Sequence, residues 1–328
     1  MSFNLKTKVR IILLIFSTTT YAQEIPKDLF EYKLIGNSFN NLGNWENNSI
    51  FGPFRYQQRN DYLFSELNKT IHTSFFHLNN NILKMQYYSR IVFEKYFYVY
   101  FNSYIVKNKN HIINNDSDIL VDSYPRSFEI DMSGFGYENS WVNLQIGRGR
   151  ESWGAGQEIQ LALNSDSPGY DYIKIGSNYG NLRVRFLNGL LEKTNDGYNR
   201  YLTARGIEWT NNKSVLIGIH ETAIYSGYNR KMEFAYLNPM TSHLEIEWNN
   251  RLTFSESEQA SNAIWQLSGD FLFKNNIRVS ANFLIDDIVI DKEIEGNQKS
   301  AIAYSFKLNK SQAIKSGIVN LYFSTIKI

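Results

Sequence analysis

From about residue 71 onward, apolar and polar positions alternate in short runs separated by Asn, Gly and charged turns. A period of two residues is the mark of strands with two different faces, and the turn composition predicts antiparallel pairing. Val142, Leu144 and Ile146 fall on one face of such a run, with Trp141, Asn143 and Gln145 on the other. The run Phe128–Met132 alternates in the same way and is its predicted partner, with Glu138-Asn139 as a tight turn between them. Leu182, Val184 and Phe186 alternate with Arg183, Arg185 and Leu187 after a turn at 178–181. Tyr201–Trp209 and Val215–Ala223 flank Asn211-Asn212-Lys213 and read as a hairpin. Four further strands are expected at Ala263–Phe273, Ile277–Ile285, Ser300–Leu308 and Gly317–Ile326.

No helical periodicity competes with this pattern, and no linker or change of composition divides it, so residues 67–328 are expected to form one all-β unit. Residues 23–66 are rich in Asn and turn formers and are expected to precede or plug it. An all-β chain of this kind is either a soluble sandwich or an antiparallel transmembrane β-barrel, and the two differ in what each strand face meets. Charges sit on the would-be inner face: Lys84, Arg90, Glu129, Asp131, Arg183 and Arg185. Aromatic clusters sit near strand ends, at Tyr87-Tyr88 and along Tyr96–Phe101. Both features favour an outer-membrane barrel, whose lumen is polar and whose interfaces carry aromatic girdles.

The N-terminus changes the setting. Lys6, Lys8 and Arg10 precede the apolar run Ile11–Phe16, and small polar residues lead to Ala22, the order of a cleaved secretory signal peptide at residues 1–22. Gln23 follows the expected cut, so no lipid attachment is read there. The chain has 328 residues and no Cys, which removes disulfides and thiolate metal sites. Its net charge of +2 makes nucleic acid a poor partner. With 22 Tyr and 22 Phe it is well supplied for aromatic girdles.

One stretch stands apart, Gly147-Arg-Gly-Arg-Glu-Ser-Trp153-Gly-Ala-Gly156, where a strand runs into a glycine-rich loop. Its spacing is not that of a dinucleotide fingerprint and no helix pattern follows, so the glycines are read first as permitting a tight turn and close packing. Trp153 among them is suited to stack on the apolar face of a sugar ring.

Ile146-Gly-Arg148, Trp153-Gly-Ala-Gly156 and Leu161–Ser165 with Pro168 together resemble the Wzi-type capsule assembly proteins of Gram-negative outer membranes, in the divergent form found among Bacteroidetes. Two further blocks look similar. One is Ile217–Glu221 with Tyr225-Ser-Gly227 and Tyr236-Leu-Asn238-Pro239; the other runs from Ala263–Asp270 into Asn282–Asp287. The loop departs from the family pattern at Ala155, where Pro is expected. The C-terminus departs too: it ends Thr-Ile-Lys-Ile without a terminal aromatic, and family members continue further, so a smaller barrel or a truncated chain is implied, with truncation the expectation.

What the resemblance implies is a non-enzymatic, monomeric outer-membrane barrel without cofactor or metal, set in lipid, that holds capsular or extracellular polysaccharide at the cell surface. Arg148, Trp153, Glu221 and Tyr225 are the candidate polysaccharide contacts. Gly147, Gly154, Gly156, Tyr236, Asn238, Pro239, Asp286 and Asp287 are the structural residues of the family motifs. Two rivals stand beside this reading. A porin or channel would use a lumen bearing Arg183 and Arg185 to pass anionic solutes, unless these arginines pair with luminal Glu and Asp. A secreted β-sandwich glycosidase would need two carboxylates about 5 to 10 Å apart. Its candidates are Glu151, Glu158, Asp166, Glu221, Asp286 and Asp287. The five His show no zinc-ligand spacing.

Overall fold

Each strand of the chain pairs with the one before it. The computed structural model describes residues 50, 71–79, 82–94, 96–107, 126–156, 160–164, 167–243, 245–246, 259–286, 301–314 and 317–328. The expected signal peptide, the segment 23–66 apart from residue 50, and Glu158, Asp166 and Asp287 lie outside the described residues. The side chains of Lys84, Arg90, Glu129 and Asp131 lie outside them as well.

The strands are β1 (Ile71–Asn79), β2 (Ile82–Phe93), β3 (Phe97–Lys107), β4 (Arg126–Glu138), β5 (Val142–Gly149), β6 (Tyr170–Tyr179) and β7 (Leu182–Lys193). They continue with β8 (Tyr198–Thr210), β9 (Val215–Tyr228), β10 (Gln259–Phe273), β11 (Ile277–Asp286), β12 (Ala301–Ile314) and β13 (Gly317–Lys327). They form one 13-stranded sheet in sequence order. All pairs are antiparallel, and no β1 to β13 ladder closes the sheet among the described residues.

The expected all-β architecture holds, with local corrections. The predicted hairpin at 211–213 forms, because the Asn211 Oδ1 accepts from the amides of Lys213, Ser214 and Val215 at 3.0, 2.8 and 2.9 Å. The turn expected at Glu138-Asn139 lies one residue later. Asn139 Oδ1 takes the amides of Trp141 and Val142 at 3.0 and 2.8 Å, leaving Glu138 in β4 and Trp141 in the turn. That register pairs β5 with Ser133–Glu138 and not with Phe128–Met132, since a tight turn joins the residues nearest to it.

The two faces of the sheet are inverted relative to a soluble protein. Ile146, Ile173, Ile175, Ile207, Ile217, Ile219, Leu267 and Phe283 are exposed, while Gln145, Lys174, Glu208, His220, Gln266 and Asn282 on the alternate positions are buried. A soluble sandwich would bury the first set. Apolar residues facing out and polar residues facing in are what a barrel wall in lipid requires. The sheet is therefore an outer-membrane barrel wall, concave on its polar side.

The connections differ between the two ends. At one end all are short, 94–96, 139–141, 180–181, 211–214, 274–276 and 315–316; at the other end 80–81 and 194–197 are short, while 108–125, 150–169, 229–258 and 287–300 are long. Short turns face the periplasm and long loops the exterior in such barrels, which orients the wall. On the short-turn rim the outward rings of Phe93, Phe97, Phe135 and Tyr137 gather, with Phe97 5.7 Å from Phe135 and 5.1 Å from Tyr137. Of the expected strand-end clusters Phe97 lies in this girdle, whereas Tyr98 and Tyr100 face inward and are buried, and Tyr87-Tyr88 lie in the middle of β2.

Candidate functional site

The glycine-rich loop folds inward. After β5 the chain crosses the concave face and reaches β10 and β11, which lie far along the sheet, so the wall curls enough to bring these strands opposite β5. Ala155 marks the far contact. Its amide donates to Asn282 Oδ1 at 2.7 Å, and its carbonyl accepts from Asn282 Nδ2 at 2.6 Å. Asn282 is in turn fixed by Gln266, Ser268 and Ser305 at 3.1, 2.8 and 2.9 Å, a ladder of neutral polar groups across three strands.

Gly154 and Gly156 explain why the loop can lie this close. Both have positive φ, 144° and 77°, and a Cβ at Gly154 would meet the side chains of Gln160, Gln266 and Asn282. Gly147 plays a different part. It sits within β5 facing inward, where a Cβ would strike Ser133, Gly134 and the Tyr100 hydroxyl.

The near side of the loop is held by charge. Lys174 Nζ meets Glu151 Oε1 at 2.6 Å, both buried, and the other Glu151 oxygen accepts from Trp153 Nε1 at 3.0 Å. Trp153 has a relative exposure of 0%. It pairs with Leu163 through the loop backbone and meets the His220 ring edge-on at 5.8 Å. Its ring faces are used up in packing, which leaves none for a polysaccharide. Residue 50 joins the same core: the Ile50 amide donates to Glu208 Oε2 at 2.8 Å and its carbonyl accepts from the Gly154 amide at 2.7 Å. The part of segment 23–66 that is described thus lies inside the barrel wall, as a plug would.

Two further luminal arginines have acidic partners. Arg183 bonds Glu208 at 2.8 Å, and Arg278 is bonded to Asp270, which also accepts from Ser280 at 3.0 Å. Arg183 and Arg185 face inward as expected, and the charge of Arg183 is met by Glu208.

The other predicted site residues are on the convex face. Arg148 follows Leu144 and Ile146 on the outward positions, at the long-loop end, and pairs loosely with Asp171 at 3.4 Å in an exposed setting. Glu221, Tyr225, Tyr236 and Asn238 come together there as well. After β9 the chain turns back over the outer wall, with a helical turn at Phe234–Leu237. Tyr236 stacks on Tyr225 at 4.0 Å, and Tyr225 on Tyr201 at 5.0 Å. Arg230 caps the stack, 4.9 Å from the Tyr225 ring centroid. Glu221 pairs with Arg205 at 3.1 Å and accepts from the His243 amide at 3.1 Å. Arg205 donates to the Asn238 carbonyl at 3.0 Å, and Thr203 to that of Tyr236 at 3.3 Å. Pro239 is exposed in the following turn, and Asp286 ends β11 apart from both clusters.

Comparison with solved structures finds partial overlap with several bacterial proteins. OmpF of Salmonella typhi, solved with daunomycin, is 8% identical with a TM-score of 0.33, covering 78% of this chain and 87% of that one. OccAB1 of Acinetobacter baumannii is 10% identical, TM-score 0.33, over 73% and 70% of the two chains. OpdQ of Pseudomonas aeruginosa is 10% identical, TM-score 0.29, over 79% and 84%. At this overlap none of the three bears on what passes or binds here. No family model and no curated protein matches the sequence.

The sequence missed Lys174, Glu208, Asp270 and Arg278 as luminal anchors. Their signal was present as single charges between apolar neighbours, as in Ile173-Lys174-Ile175 and Ile207-Glu208-Trp209. Asn282 stood inside a quoted motif block without its role being visible, because its partner is 127 residues away.

Proposed function

We propose that the chain forms an outer-membrane channel in which small hydrophilic solutes pass a polar lumen narrowed by the loop at 150–164. The observation that carries this reading is the loop itself, which leaves the wall at the exterior end, is held near its root by Lys174 and is latched on the far side by Asn282. A loop so placed sets the free cross-section, and a wall of opposite-sign pairs offers a polar surface with little net field. Arg183 therefore gives no reason to restrict the solutes to anions. The test is conductance of the purified protein in planar bilayers. Discrete ohmic steps are expected, larger when Asn282→Ala frees the loop; a silent bilayer from a heat-modifiable, folded protein would overturn the channel.

A second reading, a barrel that holds capsular or extracellular polysaccharide, is favoured by one observation. Residue 50 and the loop both occupy the concave side, and a filled interior suits an anchor better than a pore. Of its proposed contacts, Arg148 alone keeps an exposed side chain. Loss of surface polysaccharide on deletion of the gene, together with a silent bilayer, would support it.

A further inference from the structure

The outer wall of a membrane barrel should be apolar, yet at the long-loop end of β7 to β9 it carries Asn188, Thr203, Arg205 and Glu221 on outward positions. All four sit where residues 230–246 cover them or pack nearby. The depth of this patch can be counted. A tilted strand crosses the hydrocarbon layer in about 9–11 residues. Counted from Ile217, which pairs with Trp209 near the short turn, that span on β9 reaches from Tyr225 to Gly227. Glu221 and Tyr225 are thus within the layer, and so is the segment packed on them.

That segment replaces the wall as the surface met from outside. Its own outer side chains include Phe234, exposed to 89%, and Met240, exposed to 87%, in a segment that also carries Lys231, Glu233 and Glu245. Lipid contact demands that backbone donors be satisfied within the protein. Here the amides of Tyr236, Asn238, Thr241 and Ile246 bond within the segment, Met240 bonds Asn238 Oδ1, and His243 bonds Glu221. Large apolar side chains among charges suit the boundary where acyl chains meet headgroups.

We infer that residues 230–243 form a lipid-binding strap on the outside of the barrel, with Phe234 and Met240 against acyl chains of the outer leaflet near the headgroups. The occupant is lipid because the strap continues the apolar surface of Ile207, Ile217 and Ile219 on the same strands. The inference rests on the membrane location of the wall and is independent of what crosses the lumen.

The chain has no cysteine, which makes the test direct. Single variants Phe234→Cys, Met240→Cys, Ile219→Cys and Lys213→Cys are labelled with an environment-sensitive fluorophore, checked for heat-modifiability, and reconstituted in phosphatidylcholine vesicles. Quenching by lipids bearing a nitroxide near the carbonyl end is compared with quenching by aqueous iodide. At 234 and 240 the lipid quencher is expected to cause a loss like that at 219, and iodide much less than at 213. Iodide quenching without lipid quenching at 234 and 240 would place the strap in water and overturn the inference. Protection from both quenchers, with oxidative cross-linking of Phe234→Cys to itself, would replace lipid by a second copy and overturn it as well. If position 219 also escapes lipid quenching, the membrane reading itself fails.

Discussion

Asn282 grips Ala155 by both hands of its side-chain amide, accepting from the Ala155 amide and donating to the Ala155 carbonyl. This is the exchange of bonds that two paired strand residues make, reproduced by one side chain on β11 and one backbone unit of the inward loop. It also requires an N–H at residue 155, which Ala supplies and proline could not.

Asn282→Leu is expected to leave the buried amide and carbonyl of Ala155 without partners, at about 1–3 kcal/mol each. Ala155→Pro should lose the amide donor alone and cost less. Unfolding in urea followed by the gel-mobility shift would rank the two, and limited proteolysis should cut the loop of both while the wall persists.

Lys174 and Glu151 are a buried pair at 2.6 Å. Lys174→Met strands a carboxylate inside the wall, and the expected loss is about 3–5 kcal/mol. Adding Glu151→Gln should recover much of it, because the amide remains near the indole donor of Trp153. A double-mutant cycle on the same unfolding assay checks this; single-variant losses that simply add in the double variant would show the pair to be unimportant.

Trp153→Ala should act through the core, by roughly 3–5 kcal/mol. If the folded variant still binds extracellular polysaccharide as the parent does, stacking on Trp153 is excluded as the source of any such binding. A selective loss of binding in a protein of unchanged stability would reverse that conclusion.

Tyr236→Ala removes the outer member of a three-ring stack and should free the strap without opening the wall. Protease should then cut between Arg230 and His243, while the heat-modifiable band keeps its unfolding temperature within a few degrees. Co-operative loss of both would mean the strap is integral to the wall.

Much of this wall was legible because its strands must show lipid one face and the lumen the other. Leu144-Gln145-Ile146 needs no partner information to be read as out, in, out. Asn211 announced its hairpin through a side chain that makes the turn by itself. The loop and the strap were not legible in the same way. Trp153 and Tyr225 have the composition of sugar-stacking residues, and what decides their use is the neighbour that covers each ring: Leu163 and His220 for one, Tyr201 and Tyr236 for the other. Glu221 was likewise read as free to bind, yet Arg205 and the His243 amide already occupy it. Side chains that alternate reveal a wall, but folding back over it leaves no periodic trace.

The order of the chain also orders its assembly. Every ladder joins consecutive strands, so the wall can be added hairpin by hairpin at small loop-closure cost. The grip of Asn282 on Ala155 spans 127 residues and has no partner until β11 has been laid down. Up to that moment the glycine-rich loop is held by Lys174, by residue 50 and by packing of Trp153 on His220, and lacks its far anchor. Latching of the loop across the concave face is thus a late event, timed by the eleventh strand and separable in kinetics from building the wall.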